Sequence, residues 1–454
     1  MKTKYFFKTA LLLGLAFLLL PSFSFSQRTG YSKEEFIRRR NVLMEKVSDG
    51  MIVLFGEALP QPAAHFRQDN DFYYFTGVED PGAVLVLTPE TKESYLFLPQ
   101  QTPREAMMEG PNLLKDSKAK EKTGFQEVYE VGFFDEFIAR NVPRMELTLY
   151  VRLSPRDSVD NARYETQIFQ ARKARLHYND QISLDNYRIE KLKERYPGCE
   201  FKDVAPSIDA LRLIKSPEEI EVIRRNGKIS AEAIKQAMLA AKPGVYEYEI
   251  EAAAMQVILK NGARSAAYAP IVGSGPNTCI LHYEKNSRQV QAGDLVLMDF
   301  GANLDYLSMD ITRTWPGSGT FSPEQREVYE IALAVEKACI EAYRPGVTSE
   351  DVQKHVEEVM MKKGLEARGL RGGFGHFVGM GTHDVGPRPL TLQEGMVFAI
   401  EPGLYYPDKN IGIRIEDTVL ITKDGCEVLT RDVPKDIDEV EKLLRGRGNG
   451  PGKK

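Results

Sequence analysis

Two aspartates, Asp299 and Asp310, stand eleven residues apart in the stretch DLVLMDFGANLDYLSMDITRT, residues 294–314. Leu295–Met298 leads into the first as a strand, Ile311-Thr312 follows the second, and Gly301-Ala302-Asn303 between them is turn material. Folded as a hairpin, the stretch aims both carboxylates into one space. Their mutual repulsion and the cost of drying them then demand a cation between them. A plainer alternative has Asp299 capping the turn and Asp310 in an edge salt bridge, and the pair by itself does not separate the two readings.

Further residues of the same chemical type recur downstream. The chain has six histidines. His65 and His177 lie in the N-terminal half, and His355 sits on a charged helix as a surface residue. His282 falls in GSGPNTCILHY, and His376 and His383 in GHFVGMGTHDVG. Glu401 follows the apolar run Met396–Ile400 and precedes Pro402-Gly403. In Ile411–Asp417 the alternation of isoleucines with Gly412, Arg414 and Glu416 puts Arg414 and Glu416 on one strand face. One strand glutamate or histidine is ordinarily structural. Four carboxylates and a histidine ringed by apolar neighbours are not, because unpaired charge is costly there.

The elements that must position these residues read as follows. From about Pro206 the sequence contains an internal echo. Ser216-Pro217-Glu218-Glu219 caps a helix running to about Ala241, Lys242-Pro243-Gly244-Val245 interrupts, and a second helix ends at Lys260-Asn261-Gly262. About 100 residues later Ser322-Pro323-Glu324-Gln325, Arg344-Pro345-Gly346-Val347 and Lys363-Gly364 repeat cap, break and stop, and each time a β-rich segment follows. A duplicated half-domain with a cleft between its halves accounts for this order. Upstream, strands at Met51–Phe55, Ala83–Leu87, Tyr95–Leu98 and Leu147–Val151 alternate with helix-prone stretches such as Lys33–Val47, an α/β layer pattern. The aromatic patch Arg67–Leu87 reads as core packing and turn chemistry.

Residues 1–26 have the form of a signal peptide: basic Lys2, Lys4 and Lys8, an apolar run Ala10–Leu20, Pro21, then Ser24-Phe25-Ser26. The run is short of the roughly 20 residues a bilayer span needs, and no cysteine follows for a lipid anchor. The expectation is an exported protein, periplasmic or secreted, with no membrane association after signal removal; an uncleaved anchor is the alternative. Without the three lysines, 57 basic face 65 acidic residues, so nucleic acid is a poor partner. The four cysteines, Cys199, Cys279, Cys339 and Cys426, form no metal-binding spacing. The expected divisions are 1–26 signal peptide, 27–200 N-terminal α/β domain, 206–440 catalytic domain, and 445–454 a disordered Gly-rich tail.

The blocks MDFG, MDITRT, GHFVG, THDVG, AIEPGLY and GIRIEDT, with Asp299, Asp310, His376, His383, Glu401 and Glu416, resemble the pita-bread metallopeptidases: methionine aminopeptidase, prolidase and aminopeptidase P. RQDNDFYYFTG in the first domain resembles aminopeptidase P in particular, so the resemblance spans nearly all of the chain beyond the leader. It implies an α/β (α+β) fold whose C-terminal half is a pseudo-twofold pita-bread domain. It further implies two divalent ions bridged by Asp310 and Glu416, with Asp299 on one and His376 and Glu401 on the other. One imidazole among carboxylates suits manganese, with zinc or cobalt as alternatives. A metal-bridging hydroxide would attack the peptide, Glu401 would move its proton, His383 and His282 would stabilise the carbonyl oxygen, and Arg414 would orient Glu416.

The implied activity is removal of an N-terminal residue preceding proline from peptides, by a homodimer or homotetramer in which Asp71 is a candidate contact to a neighbouring subunit. Prolidase, acting on Xaa-Pro dipeptides with the same metal site, is the alternative enzyme. Creatinase-like hydrolysis and a non-catalytic binding module would each have lost acidic ligands that this chain retains. Two departures bear on substrate: Gly372 stands where the family often has a histidine, and Ala106-Met107-Met108-Glu109-Gly110 replaces a tryptophan block. Tyr73 and Tyr74 are the candidate replacement aromatics.

Overall fold

The inner strands Met51–Phe55 and Val84–Thr88 of the N-terminal half are apolar on both faces, and in the structure, a computed structural model, both faces are buried. It describes residues 30–59, 65–141, 147–158, 161–173, 175, 183–364, 370–371, 375–387 and 391–446. The leader at 1–26, His177, Gly372 and tail residues 447–454 lie outside these.

One six-stranded sheet comprises β1 (Met51–Phe55), β2 (Val84–Thr88), β3 (Glu93–Leu98), β4 (Glu127–Glu130), β5 (Thr148–Val151) and β6 (Glu200–Asp203), in the order β4-β3-β2-β1-β5-β6. Alternate residues of one strand serve opposite cores. Ile52 and Leu54 join the side that holds Phe36 and Leu43 of the helix Lys33–Lys46. Met51 and Val53 join the side that holds Phe134, Ile138, Ile189 and Leu192.

The aromatic patch forms the helix Asn70–Thr76, capped by Asp69 and ended by Gly77 at φ 63°, with every residue buried. This overturns the expectation that Tyr73 or Tyr74 faces substrate. Tyr73 stacks on Tyr306 at 3.6 Å, and Tyr74 carries the Arg39 guanidinium 4.1 Å over its ring. Asp71 is likewise no surface contact. It is 1% exposed and held by Arg152, Arg163 and Arg212.

In the C-terminal half the two helix pairs are Pro217–Ala240 with Glu247–Lys260, and Pro323–Ala342 with Ser349–Lys362. Ser216 with Glu219 and Ser322 with Gln325 close reciprocal capping boxes with proline in the first turn, as the sequence predicts. The strands are β7 (Ser265–Ala266), β8 (Ile271–Ser274), β9 (Leu295–Asp299), β10 (Ala302–Leu304), β11 (Leu307–Ser308) and β12 (Thr312–Pro316), then β13 (Leu370–Arg371), β14 (His376–Phe377), β15 (Val397–Ile400), β16 (Gly403–Tyr406), β17 (Ile411–Arg414), β18 (Asp417–Ile421) and β19 (Cys426–Val428). They form one four-stranded sheet, β14-β15-β18-β19, and three three-stranded sheets, β12-β9-β8, β11-β10-β7 and β13-β16-β17. The second helix pair packs its own sheet, Val335, Cys339, Val352 and Val356 meeting Phe398, Ile400 and Val419.

The hairpin carrying the two aspartates forms, but its turn is displaced. Thr312 of β12 pairs with Asp299 of β9. Ala302 and Asn303, expected as turn, lie in strand β10, and the chain reverses at Asp305-Tyr306, both at positive φ. Gly301 serves close approach instead: a Cβ there would lie 1.7 Å from the Met309 carbonyl oxygen. The four cysteines are all thiols.

Candidate metal centre

Strand ends deliver the site. Asp299 closes β9 and Asp310 precedes β12; His376 opens β14, Glu401 follows β15, and Glu416 lies between β17 and β18. The first two belong to one helix–sheet repeat and the last three to the other. Direct bonds join the repeats: the Glu416 amide donates to the Thr312 carbonyl at 3.0 Å, and the Thr418 hydroxyl donates to the Asp310 carbonyl at 2.7 Å.

One ligand atom each from Asp310, His376 and Glu416 lies within 4.8 Å of the others, and Asp310 and Glu416 are buried. His376 Nε2 is 3.4 Å from Asp310 Oδ2 and 3.6 Å from Glu401 Oε1. Its Nδ1 meets the Phe377 carbonyl at 3.1 Å, which assigns the Nδ1 proton and leaves Nε2 facing the carboxylates. Asp299 joins through Tyr268, whose hydroxyl is within hydrogen-bonding reach of both Asp299 Oδ1 and Asp310 Oδ1. One phenolic proton cannot serve two carboxylates at once.

The charge balance follows from this crowding. Burial, then the neighbouring Asp299, pushes Asp310 up to about 7. Burial with Asp310, Asp299 and Glu401 holds Glu416 well above the usual carboxylate range. Burial works against the His376 cation, but Asp310 and Glu401 outweigh it and raise the imidazole to about 9. Buried carboxylates facing one imidazole and a shared phenol have an excess of negative charge that a divalent cation neutralises. The hard, oxygen-rich donor set fits such an ion.

Arg414 contacts the cluster differently from the expectation. Its Nη2 donates to Asp299 Oδ2 at 2.7 Å and its Nη1 to the Tyr405 hydroxyl at 2.7 Å. Among the described residues its hydrogen-bonded link to Glu416 runs through Thr312, whose hydroxyl accepts from Arg414 Nε at 3.0 Å and donates to Glu416 Oε2 at 2.6 Å. The His383 ring lies 3.9 Å from the His376 ring, and its carbonyl accepts from the Ala162 amide at 2.8 Å. His282 is exposed, with no hydrogen bond to the cluster among the described residues. Tyr268, Thr312, Thr418 and Tyr405 were not among the residues expected from sequence. The β-branched Thr312, paired directly with Asp299, was the one legible signal.

Residues 221–423 match metallopeptidase family M24, and residues 36–150 match the aminopeptidase P N-terminal domain. The Xaa-Pro aminopeptidase of Escherichia coli (strain K12) is 34% identical over 91% of this chain and 98% of its own. The mitochondrial intermediate cleaving peptidase 55 of Arabidopsis thaliana is 32% identical over 91% of this chain and 83% of its own. The structure of E. coli aminopeptidase P with the inhibitor Pro-Leu superposes with a TM-score of 0.78 at 31% identity, covering 92% of this chain and all of that one.

Proposed function

The chain belongs to metallopeptidase family M24, in the group with an aminopeptidase P N-terminal domain, and on that premise we propose that it is an exported aminopeptidase cleaving the bond between an N-terminal residue and a following proline. The observation that carries the reading is the convergence of Asp310, His376 and Glu416 donor atoms within 4.8 Å, with Asp299 tied to Asp310 through Tyr268.

Asp299, Asp310, His376, Glu401 and Glu416 would hold two divalent ions, manganese by preference. When bound, those ions would polarise the scissile carbonyl and supply a nucleophilic oxygen near neutral pH, leaving the protein to orient and exchange protons. Glu401, with its side chain 34% exposed beside His376, is the carboxylate open to solvent and substrate and so the group to carry a proton towards the leaving nitrogen. His383, packed against His376, is set to donate to the developing oxyanion. His282 would join it from the loop after Gly275–Cys279, and Arg414 holds the Asp299 carboxylate in place.

The test is metal-stripped protein reconstituted with Mn2+, assayed on Arg-Pro-Pro and on the Ala-Pro dipeptide, with Asp310→Ala as control. Release of arginine from the tripeptide, lost in the control, is the expected result. Cleavage of the dipeptide alone moves the assignment to prolidase; cleavage of neither overturns the proline reading. Export through residues 1–26 is checked by fractionation and N-terminal sequencing, and cytoplasmic protein retaining Met1 would refute it. Homo-oligomerisation, motivated by the family, is read by light scattering, where a monomer at micromolar concentration is the contrary result.

A further inference from the structure

The hairpin between Asp299 and Asp310 ends in a conformation that its own sequence does not favour. Leu304 pairs with Leu307, so Asp305 and Tyr306 alone make the turn, at φ 49° and 69°. Two-residue turns of this hand favour glycine, asparagine or aspartate, so Asp305 suits its place, but a tyrosine at positive φ is held there only by its surroundings.

Those surroundings belong to the N-terminal domain. The Tyr306 ring is 4% exposed and stacks on Tyr73 at 3.6 Å with an 11° interplanar angle. The Arg67 guanidinium lies 4.4 Å from its centroid. Its hydroxyl accepts from the Gln68 amide and donates to Glu79 Oε1, each at 2.8 Å. Arg67 also donates to Asn303 Oδ1 at 2.8 Å.

From this tip a continuous set of bonds runs to the metal-site aspartates. Asn226 donates to the carbonyls of Ala302 and Leu307 at 2.8 and 2.9 Å. The Met309 amide, next to Asp310, donates to the Ala302 carbonyl at 3.1 Å, and the Phe300 amide, next to Asp299, donates at 3.0 Å to the carbonyl of Ile311, the residue after Asp310.

We propose that Tyr306 is a positioning residue: docked in the N-terminal domain, it fixes the hairpin that sets Asp299 and Asp310 for metal, so ion binding depends on the N-terminal domain being seated. The inference rests on the metal-site reading above and adds to it a residue outside the cluster. A glycine would relax the turn, so the strained tyrosine is explained by docking.

The test compares full-length wild type, Tyr306→Phe, Tyr306→Gly and Tyr73→Leu, each metal-stripped and titrated with Mn2+ by calorimetry and electron paramagnetic resonance, with thermal midpoints recorded alongside. Tyr306→Phe keeps the stack but loses the hydroxyl's bonds to Gln68 and Glu79, so it should weaken Mn2+ binding less than Tyr306→Gly does. Tyr306→Gly and Tyr73→Leu should weaken Mn2+ binding about tenfold or more and alter the spin spectrum. A lowered midpoint with unchanged Mn2+ binding marks a purely structural role and overturns the proposal. Should Tyr306→Gly not fold, Tyr73→Leu decides in the same way. A wild type that binds a single ion refutes the dinuclear reading but leaves the variant comparison to judge Tyr306; a wild type that binds none overturns both.

Discussion

Replacing Asp71 by asparagine removes the centre of a buried charge network while keeping the side chain's shape. Its Oδ1 accepts from Arg212 Nη1 at 2.8 Å, and its Oδ2 from Arg152 at 2.9 Å and Arg163 at 3.0 Å. Each guanidinium keeps another partner: Arg152 has Asp69 and Asp185, Arg163 has Asp209, and Arg212 has Asp157 and Asp384. Removing one member of a buried pair costs 3–5 kcal/mol, and the surviving partners put this case at the low end, about 3 kcal/mol. If the N-terminal domain unfolds as its own unit, that lowers its midpoint by about 6–12 °C.

The pH dependence has a definite sign. Burial opposes the Asp71 carboxylate, but Arg163, Arg212 and Arg152 outweigh it and hold the group well below the usual carboxylate range. A depressed folded pKa gives stability that is fully present above the unfolded value of about 3.9 and lost as pH falls through the folded one. Scanning calorimetry of wild type and Asp71→Asn should therefore show a constant gap at neutral pH that closes only in strong acid. Equal midpoints at neutral pH, or a gap that widens on acidification, would refute the reasoning. A residue serving instead as a contact to a neighbouring subunit's site would give the opposite signature, lost activity at unchanged midpoint.

Arg313 is 0% exposed and donates to Asp417, to the Glu416 carbonyl and to the Thr312 carbonyl at 2.7, 2.6 and 3.0 Å, so Arg313→Leu should cost about 3–5 kcal/mol in denaturant titrations. Lysine, a single point donor, should not restore it. Gly301→Ala forces a methyl group against the Met309 carbonyl oxygen; a midpoint loss matching about 1–3 kcal/mol, with weaker Mn2+ binding, is expected by thermal scan and calorimetry. Chelating the metal should lower the midpoint and readdition restore it, by about 2.7 kcal/mol at a hundredfold excess over the dissociation constant. A midpoint indifferent to chelator would count against a resident ion.

What the sequence disclosed about this site, and what it hid, divides along the distance over which each feature is specified. The candidate ligands were readable because they sit at the edges of strand runs rich in apolar residues: Asp299 after Leu295–Met298, Glu401 after Val397–Ile400, Glu416 beside Ile411–Arg414. A carboxylate at such an edge is locally anomalous, and the anomaly needs no knowledge of register. Tyr268 was invisible because its role exists only once it meets Asp299 and Asp310, 31 and 42 residues away. The same holds for Arg212, whose partners Asp71 and Asp384 lie 141 and 172 residues from it in opposite directions. The misplaced turn makes the point most directly. Gly301 looked like turn chemistry, yet its missing Cβ serves the approach of Met309, while Tyr306, with no local reason to adopt positive φ, turns the chain because Tyr73, Gln68 and Glu79 hold it there. Where a tertiary contact outweighs a backbone preference, the preference misleads, and the place where it misleads is here the hairpin joining the N-terminal domain to the metal-site aspartates.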